Sequence, residues 1–381
     1  MIRLKNIEFR DNTLSCEVQL INLDSKLNVP TRIYFRCDNE AYSLNSNYDA
    51  LLVAILPLAM SIGQDVDVEG AVDGVLLENI LEVIALYHSW YGAKAKVIRV
   101  TAEQKAYAYE TISSERPLAS FYSGGVDSLF NISGRLNEGL KPVDACILVR
   151  GMDVAISDEK LWNKVKPSLQ ENLTGLPQLE MITVETNARE FQQGYLSYPD
   201  MGFGAILGAI SNFIAPSFSQ VVIGSYDIYR NLTAHASGPL VDRLWSSALV
   251  GVVHYTPRYS RMDKLALIKA HNPDLLRNLR VCWKNQGGAY NCGICEKCLR
   301  TKVELAAVGA CEMVLSFGSY DLMKDINKLK DSMPMSDLTL KFWKGMAYSE
   351  LDDALKKKIK DTISLNGFYI LPLCQDTCRV I

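Results

Sequence analysis

Apolar and polar positions alternate over residues 2–7, 14–20 and 31–36, with Asn and Asp punctuating between them. A period of two puts one face of each stretch against a core, so the pattern predicts three strands. The period then lengthens. Leu51, Leu52, Ile55, Leu56 and Ala59 recur at helical spacing, which predicts a buried helix over 49–60, with Pro57 as the place for a kink or an early end. Leu76, Leu77, Ile80, Leu81, Ile84 and Ala85 predict a second helix over 75–90, and alternation returns over 95–100 as a strand. Residues 1–112 therefore read as a smaller α+β domain. It carries no chemical motif and suits a scaffold or a partner-contacting surface. His88, among apolar residues, reads as a packing residue rather than a ligand.

Residues 101–116 are polar and read as a link, after which the order changes to strand, helix, strand. Strands are expected at 118–122, 143–149, 179–186 and 220–224, and helices at 129–136, 158–171, 202–214 and 264–270. Such alternation predicts an α/β domain over 113–310, a doubly wound parallel sheet that binds ligands at the C-terminal ends of its strands. Residues 235–259 show no period. Beyond 310 the pattern is helical again, over 336–346 and 350–363, so 311–381 reads as a helical C-terminal extension.

Composition narrows the classes. The chain has 381 residues, 48% of them apolar and 22% charged, with a net charge of −3. That is ordinary for a globular protein and exerts no global pull toward nucleic acid. No apolar run is long enough to span a bilayer, and the N-terminus lacks a signal-peptide core. Four of the ten cysteines cluster between 282 and 298 while the others scatter. Clustering reads as metal binding and scatter as reduced thiols, which places the chain in the cytoplasm. Cys374 and Cys378 read as ordinary thiols.

Two stretches carry chemistry. The first is Ser123-Gly124-Gly125-Val126-Asp127-Ser128, between an apolar strand and a helix. Adjacent glycines allow positive φ and close approach of a ligand, and the first N–H groups of the helix favour an anion there. Ser123 and Ser128 add hydroxyls, and Asp127 either orders the loop or holds Mg²⁺. No Gly-Lys-Ser/Thr follows and no third glycine falls in place, which excludes a Walker A loop and a dinucleotide fingerprint. An ordinary serine- and glycine-rich helix cap is the plain alternative. Arg150, Gly151, Asp153, Glu185, Thr186, Asn187, Arg189 and residues 224–230 fall at the remaining strand ends, as crevice or capping residues. Arg261 opens a helix, where it either reaches a phosphate or is a surface cation.

The second stretch is Cys282-x9-Cys292-x2-Cys295-x2-Cys298. Four thiolates so spaced suit tetrahedral Zn²⁺, with Gly287, Gly288 and Gly293 permitting tight turns. Lys302 stands where a bacterial ferredoxin run would place its fourth cysteine, which favours zinc over an iron–sulfur cluster. Lys297, Arg300 and Lys302 suggest a basic edge to this knuckle, and Trp283 and Tyr290 an aromatic one.

The hexapeptide resembles the pyrophosphate-binding PP-loop of the ATP pyrophosphatases, Ser-Gly-Gly-x-Asp-Ser. Together with the cysteine spacing and Ser260-Arg261-Met262-Asp263, it resembles the 7-cyano-7-deazaguanine synthase (QueC) family over residues 117–308. The family has Thr-Lys where this chain has Ser260-Arg261, and its members lack counterparts of 1–112 and of the tail. The resemblance implies an ATP-dependent carbon–nitrogen ligase that adenylates 7-carboxy-7-deazaguanine and passes it to ammonia, giving an amide and then a nitrile, as in queuosine biosynthesis. ATP, Mg²⁺ and Zn²⁺ would be its cofactors. Ser123, Gly124, Gly125, Asp127 and Ser128 would hold pyrophosphate, with Asp127, Ser128 and Arg261 as the catalytic set. Val149, Arg150 and Gly151 would meet adenine, and Cys282, Cys292, Cys295 and Cys298 would ligate zinc. Longer relatives occur in antiviral defence gene sets, so a protein amine is an alternative acceptor. Thiolation of a tRNA base is a rival reaction, and a non-catalytic nucleotide sensor is a rival of another class. A homodimer is compatible with the sequence, a membrane partner is not expected, and nothing favours nucleic acid.

Overall fold

A computed structural model describes residues 1–22, 28–107, 115–332, 337–346 and 351–364. Cys374 and Cys378 lie outside the described residues. Residues 1–279 and 280–381 form two compact units.

The first unit is α/β, built on one ten-stranded sheet. Its first half comprises β1 (Ile2–Arg10), β2 (Thr13–Leu20), β3 (Arg32–Cys37), α1 (Asp49–Ile62), β4 (Val66–Asp73), α2 (Gly74–Tyr91) and β5 (Val100–Lys105). Its second comprises β6 (Leu118–Phe121), α3 (Val126–Asn137), β7 (Ala145–Arg150), α4 (Glu159–Glu171), β8 (Glu180–Thr186), α5 (Phe203–Phe213), β9 (Gln220–Gly224), β10 (Gly251–Tyr255) and α6 (Arg261–His271). The strand order is β10-β9-β6-β7-β8-β3-β2-β1-β4-β5. The block from β10 to β8 is parallel throughout, as are the pairs β1–β4 and β4–β5. The three antiparallel joints are β1–β2, β2–β3 and β3–β8.

The β3–β8 joint changes the expected domain plan. Phe35 pairs with Thr186, Arg36 with Glu185 and Cys37 with Val184, so the sheet runs on across the boundary expected at 112/113. The core does the same. From Asp49 to Met60 every residue of α1 is buried, because the helix packs against α5 of the second half as well as against its own strands. A helix covered all round needs no polar stripe. Leu51, Leu52, Ile55 and Leu56 are each fully buried, worth about 1.5–3 kcal/mol apiece against exposure. Pro57 sits inside α1 without ending it. Asp73 ties the halves again: its carboxylate caps α2 at Leu76 N and also accepts from Ala248 N.

Alternate strand residues (Ala119 and Phe121, Ala145 and Ile147, Ile182 and Val184) join the α1–α5 core. Ser120, one position out of phase, hydrogen-bonds Asn131 of α3 across 2.9 Å. By the two-residue period of a strand, the parallel block is therefore covered on both faces. Strands β4 and β10 were not expected from the sequence, and the strand expected over 95–100 forms instead over 100–105. The link expected over 101–116 thus begins as strand, and its residues 108–114 lie outside the described set.

The second unit contains α7 (Glu296–Ala307), α8 (Leu322–Asp325), α9 (Asp337–Met346) and α10 (Asp353–Ser364). The boundary expected at 310/311 falls inside it. Around α7 the tail makes specific contacts: Trp343 donates to Glu296 (2.9 Å), Arg300 stacks on Phe342, and Lys302 pairs with Asp325 (2.8 Å). Among the described residues no helix is long and apolar enough to cross a membrane.

Candidate functional site: a loop at the sheet's switch point and a four-cysteine cluster

In the parallel block the central strand β6 has β7 on one side and β9 on the other. From β6 the chain winds one way through β7 and β8, then returns to β9 and β10. A crevice opens beyond the strand C-termini at such a reversal, and the loop of residues 123–128 leaves β6 at that place. Gly124 has φ of +73°, a conformation that glycine adopts at no steric cost, whereas Gly125 is extended and forms the N-cap of α3. The turn closes on itself. Ser128 Oγ donates to Gly125 O (2.9 Å) and accepts from Ser123 N (3.3 Å), and Gly125 N points at Ser123 Oγ (3.4 Å). With its amide oriented to satisfy both atoms, Asn131 donates to Asp127 O and accepts from Gly224 N, which fastens the loop to β9.

Asp127, in the first turn of α3, faces two cations from α6. Its Oδ2 lies 3.2 Å from Arg261 Nη1 and its Oδ1 lies 2.7 Å from Lys264 Nζ. Both cations are buried, Lys264 completely. Arg261 is thus beside the loop and not a surface cation. Ser260 and Asp263 form a capping box that fixes the start of α6. Arg261 and Lys264, three residues apart, then share one helix face. Lys264 also donates to Ser225 O at the end of β9. Asp227 lies close by, and burial is the main cause that raises its carboxyl pKa, with Asp127 adding to it and Lys264 opposing. Sequence reasoning missed Lys264; its spacing from Arg261 was the available signal.

The residues at the remaining strand ends are used differently. Arg150 pairs with Glu185 (3.3 Å), donates to Ile156 O and lies over Trp162. Glu185 also takes Arg36 (2.8 Å) and Tyr34 OH (3.0 Å) from β3, so this cluster stitches the β3–β8 joint. Arg189 donates to Met152 O and lies over Tyr198. Gly151 has φ of +102°, its N–H donates to Val154 O (2.8 Å), and a Cβ there would come 1.9 Å from Thr186 O. The side chain of Arg150 and the amide of Gly151 are therefore committed within the protein. Gly151→Ala is expected to cost roughly 1–3 kcal/mol from backbone strain, and more from the clash. A urea titration against wild type checks it, and an unchanged midpoint would contradict the geometry.

In the second unit, Cys282, Cys292, Cys295 and Cys298 bring their four sulfurs within 4.8 Å of one another. Cys282–Cys295 and Cys292–Cys298 are each 3.9 Å apart. A disulfide would need about 2.05 Å. Four thiolates about 2.3 Å from a tetrahedral ion are separated by about 3.8 Å, so the cage matches a single metal ion. Local structure sets it up. Asn291 Oδ1 accepts from Val281 N and Cys282 N, Gly293 turns with φ of +72°, and Cys295 is the N-cap of α7, with Cys298 in its first turn. The Cys282 thiol is driven below its usual pKa by hydrogen bonds from Cys295 and Cys298, as befits thiols crowded around one point. Of the basic edge expected here, Lys297 is only half-buried, but the other two residues turn inward. Arg300 is buried between Glu296 and Glu304, and Lys302 is buried against Asp325 and Gly293 O. Trp283 is 51% exposed, so an aromatic edge is present.

No family model, no curated protein and no solved structure matches the chain.

Proposed function

We propose that the chain is an ATP-dependent enzyme that activates a carboxylate as an acyl-adenylate and transfers it to a nitrogen nucleophile. The observation that carries this reading is the Ser123–Ser128 loop at the switch point, with Arg261 and Lys264 buried beside it. A helix N-terminus, a glycine at positive φ and two cations suit pyrophosphate. A carboxylate oxygen of the acid attacks the α-phosphorus, the bond to the β-phosphate oxygen breaks, and pyrophosphate leaves toward the loop. The nitrogen nucleophile then attacks the acyl carbon, AMP departs, and the extra proton passes to solvent. The residues of the loop position the leaving group and stabilise its charge. Asp127 already faces Arg261 and Lys264, so it suits ordering of the loop better than metal binding. The Mg²⁺ of this reading arrives with ATP, where it neutralises phosphate charge.

The joint resemblance of the loop and the cysteine spacing supports 7-carboxy-7-deazaguanine as the acid and ammonia as the nucleophile. The amide oxygen would then attack the α-phosphorus of a second ATP, releasing pyrophosphate, and leave with AMP as the two N–H protons pass to solvent, giving the nitrile. The four-cysteine cage is read as a structural zinc site, because all four positions are thiolates and none is left for substrate. Incubation with ATP, Mg²⁺ and this acid is expected to raise AMP and pyrophosphate release above the ATP-only rate. Ammonia should then give the amide or nitrile by mass. With a protein amine as acceptor, acid-dependent AMP persists and the nitrile is absent. No acid-dependent AMP, and no change in the acid's mass, would remove this substrate.

A further inference from the structure

The Ser123–Ser128 loop contains a carboxylate where an anion is to bind, and this conflict points to a residue outside the motif. Asp127 sits in the first turn of α3, so its charge opposes an incoming anion in the space that the helix N-terminus favours. Asp227, just beyond the end of β9, is a second carboxyl group in the same neighbourhood, although burial raises its pKa. Against these two carboxylates stand Arg261 and Lys264. Arg261 belongs to the loop's expected phosphate-binding set, whereas Lys264 does not.

We propose that Lys264 is a positioning residue that cancels the charge of Asp127 and pins the loop to β9, so that the loop can accept a polyanion. The inference rests on the reading that this loop binds pyrophosphate. Lys264 is completely buried, with its Nζ 2.7 Å from Asp127 Oδ1 and also on Ser225 O. Both contacts cross from α6 to the two strand ends that flank the crevice, β6 with its loop and β9. A lysine so enclosed is screened less by solvent and salt than a surface cation, so its charge acts on Asp127 more strongly than an exposed one would. With Lys264 in place, Asp127 faces two cations, and the N–H groups of α3 keep the space beside it favourable to an anion. Without it, Asp127 loses the nearer of its two cations beside those N–H groups, and more of the charge of Arg261 is spent on Asp127.

The experiment uses the full chain and inorganic pyrophosphate, titrated by calorimetry into wild type, Lys264→Met, and the double variant Asp127→Asn with Lys264→Met. Lys264→Met is expected to weaken binding about tenfold or more, since a carboxylate that has lost its nearer cation opposes the ligand. The double variant, which removes the carboxylate along with the cation, is expected to regain most of that loss. A role in packing alone predicts no such rescue. If Lys264→Met does not fold, the double variant decides alone: binding near the wild-type value supports the proposal, and its loss overturns it. Wild-type affinity in Lys264→Met, or a double variant as weak as the single one, overturns it while leaving the loop as the anion site. No binding of pyrophosphate to wild type overturns the loop reading, and this inference with it.

Discussion

Cys295→Ser is expected to empty the four-cysteine cage and unfold much of residues 280–364. Purified wild type should carry about one zinc per chain, without the visible absorbance of an iron–sulfur centre, and the variant should carry little. The effect is large because a structural zinc site contributes about 10–16 kcal/mol of apparent binding free energy in small zinc domains, and that energy is folding energy. The geometry here adds a specific reason. Cys295 is at once a member of the cage and the N-cap of α7, and Asp325, Phe342 and Trp343 pack around α7 through Lys302, Arg300 and Glu296. Loss of the cage therefore removes the anchor of the helix on which the tail is assembled. Metal analysis and limited proteolysis check it. Stoichiometric iron in a brown protein would move the reading toward a thiolation enzyme, and a protease-resistant, metal-free Cys295→Ser would show that the cage is dispensable.

Ser128→Ala is expected to slow acid-dependent AMP formation about 10²–10³-fold, the usual cost of a lost donor at a site of developing negative charge. Ser128 Oγ also closes the loop through Gly125 O and Ser123 N, so part of the effect would come through loop geometry. Gly124→Val tests the backbone separately. A β-branched residue at φ of +73° is strained, so the turn should open and turnover fall, while the sheet and its cores, which Gly124 does not build, remain. Gly125 is extended and is the weaker choice for this test, although the sequence does not distinguish the two glycines. Steady-state rates together with circular dichroism check both variants. Normal rates in both would place the reaction elsewhere in the molecule.

Local signals were legible in the sequence where one element carries them alone. The first three strands, both early helices and the strand–loop–helix at 118–137 follow from period and turn residues, because their buried faces repeat at a fixed spacing. Strand β4 was missed although Val66 and Val68 alternate with Asp67 and Glu69; the alternation is short, its register shifts around Gly70, and β1 and β5 pair with it on either side. Strand β10 is a short edge strand whose partner, β9, lies more than twenty residues earlier. Arg300 looked like part of a basic edge although Glu296 and Glu304 stand four residues to either side of it on one helix, a legible signal, whereas the partner of Lys302, Asp325, is set only by tertiary packing.

What the sequence by itself determined is short-range. Ser123 to Ser128 and Cys282 to Cys298 each lie in one local run, and backbone freedom and ligand type fix what such a run can hold. The rest required the chain to fold. The tertiary structure made one sheet of what read as two domains, since an antiparallel edge pairing like β3–β8 leaves no mark in either strand's own pattern. It also set the loop at the reversal of strand order and brought Lys264 to Asp127 across 137 residues. A buried ion pair is a property of two distant positions, and only the packing of α6 against α3 decides that these two meet.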